Sequence, residues 1–252
     1  MPRPPFAGAI DPLHALARAP GEEVGAAVAA AVAELDRFGV ERAGVEVGDD
    51  PVLARAALER HPERFFARAE LDPRGGMDEL RRLERLAREW PLRLVTVSPA
   101  RRFVPIDDKP FWPVFAKCIE LDLALSPSLG VPAEPVPFAP QKVERIDAVA
   151  CAFPELRIVM RGGCEPWQAL AVLLMRRHPN LSFASAPLPP SEIPAEVLAF
   201  ANEDGAHQVL FGSDVLPASR ERFYKELPAL GLAPPVWRRF ARDNAARILQ
   251  LR

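Results

Sequence analysis

The feature that most constrains the fold is a rhythm. Short apolar runs alternate with amphipathic helical patterns at a spacing of about 30 residues, along almost the whole chain. The runs lie at 41–47 ("ERAGVEV"), 65–71, 92–98, 123–128, 156–162, 181–186 and 207–214 ("HQVLFGSD"), with 6–11 ("FAGAID") as a weaker first member. Strands that alternate with helices in this way build repeated βα units and a parallel sheet. In 252 residues eight such units fit a (β/α)8 barrel with short loops, so the expectation is one TIM-barrel domain over residues 1–252. An open, doubly wound sheet is the other arrangement the rhythm allows.

The helical segments carry their own signals. Val24, Val28, Val32, Leu35 and Phe38 share one face of a helix that Gly39 ends. Met77, Leu80, Leu83, Leu86 and Trp90 form a second such face. "PFWPVFAKCIELD", "PQKVERIDAVACAF", "PWQALAVLLMRRH" and "PAEVLAFANEDG" supply the next four, and "PPVWRRFARDNAARILQL" closes the chain. The 29 prolines mostly punctuate the ends of these segments, where a missing N–H costs least. Their densest stretch, 128–141, reads as a long, semi-rigid loop.

Composition excludes several classes. An apolar share of 49% is enough for one large core. A net charge of -2 leaves no electrostatic footprint for nucleic acid or an anionic membrane. No apolar run approaches the ~18 residues of a membrane span. The first residues lack the apolar block of a signal peptide. Cys118, Cys151 and Cys164 are widely spaced without a CxxC pair, as expected of reduced thiols in a cytoplasmic protein.

Several motifs together resemble the amidohydrolase-related family of metal-dependent barrel enzymes, which includes aminocarboxymuconate semialdehyde decarboxylase. "HPERFFARAELDPRGGMDELRRLERL" resembles its third-strand region, "FPELRIVMRGG" its sixth strand and "RRHPNLSF" the approach to its seventh. "VLFGSDVLP" resembles its eighth strand and "NAARILQL" its closing helix. The resemblance covers about residues 40–252 and implies a divalent metal at the C-terminal mouth of the barrel. The family holds that metal with a His-x-His pair on the first strand, a His on the fifth and an Asp on the eighth. A His on the sixth strand assists proton transfer. The zinc-type logic is neutral imidazoles plus a carboxylate, which lower the pKa of a bound water to about 7.

Carried over position by position, this set is depleted. Asp214 matches the eighth-strand carboxylate. The first strand, "AIDPLHAL", offers Asp11 and a lone His14 but no His-x-His. The fifth-strand His falls on Ser128 or Ser126, and the sixth-strand His on Gly162. His61 and His178 each precede a proline at a helix end, and His207 opens the eighth strand at the far end from the mouth. The expectation is therefore that the family's metal is lost and no cofactor takes its place.

The remaining candidates are Ser128, Arg161, Gly162, Cys164 and Asp214, expected around a ligand pocket. Arg161 could replace the metal's positive charge and pair with Asp214. Strand parity opposes this, because an inward Gly162 would turn Arg161 toward the helices. Cys164, before a helix, could be an activated thiol, though a small residue in a turn is the plainer reading. Ser98, Ser126, Ser128 and Ser185 are hydroxyls near strand ends from which no Ser–His–Asp set can be assembled. Three functions follow. The first is a degenerate member that binds a small organic, possibly anionic, ligand or regulates a partner. The second is a hydrolase or decarboxylase rebuilt around Asp214 with help from Asp11 or His14. The third is a scaffold that pairs with an active homologue. A homodimer is what the resemblance implies for self-association.

Overall fold

Eight parallel strands follow one another in sequence order: β1 (Ala9–Asp11), β2 (Val40–Glu46), β3 (Phe65–Glu70), β4 (Leu92–Val97), β5 (Ala124–Pro127), β6 (Ile158–Met160), β7 (Leu181–Ala184) and β8 (Val209–Leu210). The structure is a computed structural model that describes residues 4–251. The helices between strands are α1 (Val24–Phe38), α2 (Pro51–Arg60), α3 (Gly76–Glu89), α4 (Pro99–Arg102), α5 (Trp112–Glu120), α6 (Arg145–Ala152), α7 (Gln168–Arg177) and α8 (Ala195–Asn202). After β8 come α9 (Pro217–Glu226), α10 (Pro234–Arg238) and α11 (Asn244–Ile248). This is the TIM-barrel order the rhythm predicts.

Helices α2 and α9, with the single turn α4, add to those read from the sequence. All three have a local signal: Pro51, Pro99 and Pro217 stand at their starts, and the Asp50 carboxylate caps α2 by accepting from Leu53 N at 3.0 Å. No described helix is long and apolar enough to cross a membrane.

Two apolar layers hold the barrel. The outward strand residues, among them Val45, Ala67, Val95, Leu125, Ile158, Phe183 and Val209, pack against the helices. The inward residues Ile10, Phe66, Leu94, Ala124, Val159, Ala184 and Leu210 form a second cluster inside the ring. Large and small residues alternate there. Phe66 fills the space that Gly44 leaves on the neighbouring strand. A Cβ added at Gly44 would stand 2.4 Å from the Pro12 carbonyl oxygen and 2.8 Å from Phe66 Cε2. Backbone cannot give way as a flexible side chain would, so Gly44→Ala is expected to cost about 1–3 kcal/mol in chemical denaturation. An unchanged midpoint would mean that the strands at this point stand further apart than described.

The ring is not sealed by a ladder throughout. Among the described residues β1 and β8 share no strand pairing. Side chains bridge this seam: the buried Asp11 carboxylate accepts from Ser213 N at 2.9 Å, from Ser213 Oγ and from Leu13 N at 3.2 Å. Asp214 N donates to the Leu13 carbonyl at 2.8 Å. The C-terminal segment covers the edge of β8, where Phe211 N donates to Phe240 O and Asn244 Nδ2 donates to Ala206 O and Val209 O. Ala245, Ile248 and Leu249 of the same segment join the inner cluster. A strand of two residues has too few backbone groups to close a barrel alone, so side chains and a helix satisfy its edge.

Candidate functional site

The inner cluster fixes which residues reach the mouth. Val159 points into the barrel, so Arg161, two residues further on, points the same way. Phe66 leads in the same manner to Arg68 and Glu70, Leu94 to Ser98, and Ala124 to Ser126 and Ser128. A bridge between Ser128 and Arg161 extends the β5–β6 register past the strand ends. The parity expected for Arg161 is therefore corrected. It rested on placing Gly162 inward, whereas Gly162 turns away with φ +89° and meets the mouth through its backbone. That conformation favours glycine, and an added Cβ would stand 3.0 Å from the Leu129 carbonyl oxygen.

These residues line a cavity of about 540 Å³ at the C-terminal ends of the strands. Ser128, Arg161, Gly162 and Asp214 all contribute to it, as do Glu46, Arg68, Glu70, Ser98, Arg101 and Gln141. Cys164 does not. It is buried in the outer core with φ +58°, and burial pushes its thiol up to about 12. Ser126 lies beneath the cavity, its hydroxyl donating to the Val159 carbonyl at 2.8 Å. Ser185 is also buried and bonded to Gly212.

Most charges around the cavity satisfy one another. Arg68 pairs with Glu46 at 3.3 Å, and Arg102 on α4 reaches Glu70 and Asp72, each at 3.4 Å. Burial pushes the Glu46 carboxyl up, while Arg68 and the backbone N–H groups of Glu70 and Gly48 oppose the shift. Arg101 makes a forked pair with Glu134. Gln141 is fixed by its bond to the Gly130 carbonyl at 2.8 Å.

Among the described residues four charged groups of the lining are left out of these pairings: Asp49, Glu165, Arg161 and Asp214. Arg161 has no carboxylate oxygen within 4.0 Å among the described residues; its guanidinium's one hydrogen bond among them is Nη2 to Ser98 Oγ at 3.4 Å, and its shielded Nε has no partner. Burial lowers the pKa of its guanidinium, and Asp214 is the foremost charge opposing that shift. The Asp214 carboxylate likewise makes no ion pair among the described residues. Its backbone is held at φ +49°, an uncommon conformation for a residue other than glycine. A cation and an anion thus face one cavity without closing on each other.

Asp11 and His14 are not part of this mouth. Asp11 is consumed by the β1–β8 seam, and His14 Nδ1 stands 3.4 Å from Asp11 Oδ2 in a fully buried position, without hydrogen-bond geometry. Leu13, next to His14, belongs to the inner apolar cluster. The sequence signal that would have found Arg68, Glu70 and Glu46 is their position. Each is a charged residue on the inward parity of an apolar strand, near its C-terminal end. A second depression of about 780 Å³ runs along α1, but it is lined largely by alanines, and its buried Arg220 is already paired with Glu34.

Eight parallel βα units with a polar mouth at the strand C-termini define a TIM barrel. The chain belongs to the amidohydrolase family, whose model matches residues 3–251. No curated protein sequence matches it. Among solved structures it is similar to an uncharacterised TIM-barrel protein from Bordetella bronchiseptica, with 22% identity, TM-score 0.72 and coverage of 87% of this chain and 81% of that one. It is similar to 5-carboxyvanillate decarboxylase from Sphingomonas paucimobilis, with 17% identity, TM-score 0.64 and coverage of 88% and 82%. It is also similar to 2,6-dihydroxybenzoate decarboxylase from Rhizobium, with 16% identity, TM-score 0.65 and coverage of 97% and 99%. At these identities the likeness is one of fold.

Proposed function

We propose that this chain binds a small organic acid at the barrel mouth without a metal ion, as a member of the family that has exchanged metal chemistry for a charge pair. The single observation that carries the reading is the open pair of Arg161 and Asp214. A guanidinium presents a planar fork that matches a carboxylate. Asp214, across the cavity, accepts a hydrogen bond. The ligand that suits both is an acid with a hydroxyl or amine a few bonds away. Ser98 and Ser128 add hydroxyls, and about 540 Å³ suits a molecule of this size.

The donor set supports the same reading. Binding of a divalent ion takes about three or four protein donors. The mouth offers Ser128 from the fifth strand's end and Gly162 with the Arg161 cation from the sixth, while Asp11 of the first strand is held in the β1–β8 seam. Only the Asp214 carboxylate remains of the set the family uses. These residues do not fit the family's metal.

The probe is 2,6-dihydroxybenzoate, which carries both groups and is the acid named for two structural neighbours. Titration calorimetry on chelator-treated protein is expected to give saturable one-site binding that Arg161→Met removes and Asp214→Asn weakens. Binding that requires added manganese, or that survives Arg161→Met unchanged, would overturn the reading. A second reading, a catalytic site rebuilt around Asp214, is favoured by that residue's free carboxylate and its unusual backbone. Metal-free turnover of the same acid that vanishes in Asp214→Asn would establish it.

A further inference from the structure

We infer that Asp147, Cys151 and His178 form a zinc-class metal site on the outer layer of the barrel. Among the described residues they are the one group of three such side chains whose donor atoms all lie within 4.8 Å of one another. The local fold brings them together. Asp147 and Cys151 are four residues apart on α6 and so share a face of that helix. His178 caps the C-terminus of α7, next to it in the ring. Strands run toward the mouth and helices run back, so His178, just before β7, lies at the far end of the barrel. The site is thus remote from Arg161 and Asp214.

The geometry suits a tetrahedral ion. Bonds of about 2.0–2.3 Å place neighbouring donors a little over 3 Å apart, within reach of this cluster by small side-chain rotations. His178 is well positioned: its N–H donates to Leu174 O at 2.8 Å, its carbonyl accepts from Gln208 Nε2 at 3.2 Å, and it is only 7% exposed. Its Nε2 stands 2.7 Å from Asp147 Oδ1, so the imidazole and carboxylate already converge. Cys151 is exposed and open to an incoming ion.

The donor types choose the metal. A thiolate, an imidazole and a carboxylate suit zinc, cobalt and their neighbours, whereas magnesium and calcium prefer oxygen alone. Binding would release the thiol proton and any proton shared between Asp147 and His178. Arg177, 3.8 Å from Asp147 and largely exposed, is the competing cation among the described residues and is free to swing outward. The fourth position is left to water. Such an ion would tie α6 to α7 and act as a clip on two consecutive βα units.

The cysteines give an internally controlled test. Cys118 and Cys164 are buried, and burial pushes both thiols up to about 12, so an alkylating reagent reads Cys151 alone in the folded chain. Chelator-treated, desalted full-length protein is titrated with Co²⁺ and then Zn²⁺. The expected result is one ion per chain, a thiolate-to-cobalt absorption band that Zn²⁺ bleaches, and alkylation of Cys151 slowed about tenfold or more by Zn²⁺. Cys151→Ser, at an exposed position, should keep the fold and lose the band. Asp147→Asn and His178→Gln should each lose most of the protection. If Zn²⁺ leaves the alkylation rate of the native chain unchanged, or if protection survives both Asp147→Asn and His178→Gln in folded protein, the inference is overturned.

Discussion

Asp11→Ala is expected to destabilise the fold by about 3–5 kcal/mol, the range for removing one partner from a buried charged network. The carboxylate is wholly buried and accepts from Leu13 N, Ser213 N and Ser213 Oγ, with the His14 ring beside it. Those donors bridge the gap where β1 and β8 have no ladder. Alanine leaves them in a dry interior without an acceptor, at about 1–3 kcal/mol for each group that finds no water. Urea denaturation measures the loss, and a change below about 1 kcal/mol would mean that the seam is held by packing alone.

The same residue sets part of the acid sensitivity. Burial by itself would push the Asp11 carboxyl up, but the His14 imidazole and the hydroxyl and amide of Ser213 outweigh it and hold the carboxyl below its ordinary value. A group lowered in the folded state contributes stability that is present above its unfolded pKa, about 3.9, and lost as the pH falls through the folded value. The native chain should therefore lose stability relative to Asp11→Asn as the pH drops from about 5 into that range, with the two curves parallel at higher pH. Parallel curves throughout would exclude Asp11 as the source.

The strand rhythm carried the architecture because each strand had to be apolar on both faces. Its cores were therefore visible, while its ends were not. The apolar runs at 156–162 and 207–214 shrink to Ile158–Met160 and Val209–Leu210, since the chain curls out of the ladder on either side. Gly162 and Asp214, both at positive φ, mark that departure at the mouth. The site was legible only in part for a related reason. Asp214, Ser128 and Gly162 could be placed from the family's pattern. Arg68, Glu70 and Glu46 occupy no position in that pattern, although charge on the inward parity of a buried strand marked all three. The orientation of Arg161 needed an anchor inside the barrel, Val159, in place of an anchor at the irregular end. Cys164 lay close in sequence to the mouth but follows two glycines at positive φ, and the turn they make directs its thiol into the core.

Arg161→Met should separate binding from stability. The guanidinium sits at the floor of the cavity with one long contact, 3.4 Å to Ser98 Oγ, and no carboxylate within ion-pair distance among the described residues. A partly desolvated charge without a close partner costs the folded state more than it returns, because Asp214 and Glu70 act on it only across the cavity. A methionine of similar length fills the same space without that cost. The variant is expected to gain about 1 kcal/mol in urea denaturation. Affinity for 2,6-dihydroxybenzoate should fall at the same time by about two orders of magnitude or more, since the carboxylate loses its charged fork. The two readouts have opposite signs, which a merely structural arginine cannot produce. If the variant instead loses more than about 2 kcal/mol of stability, Arg161 serves the fold through an ion pair with Asp214 that closes in solution, and the cavity's charges are not held open for a ligand.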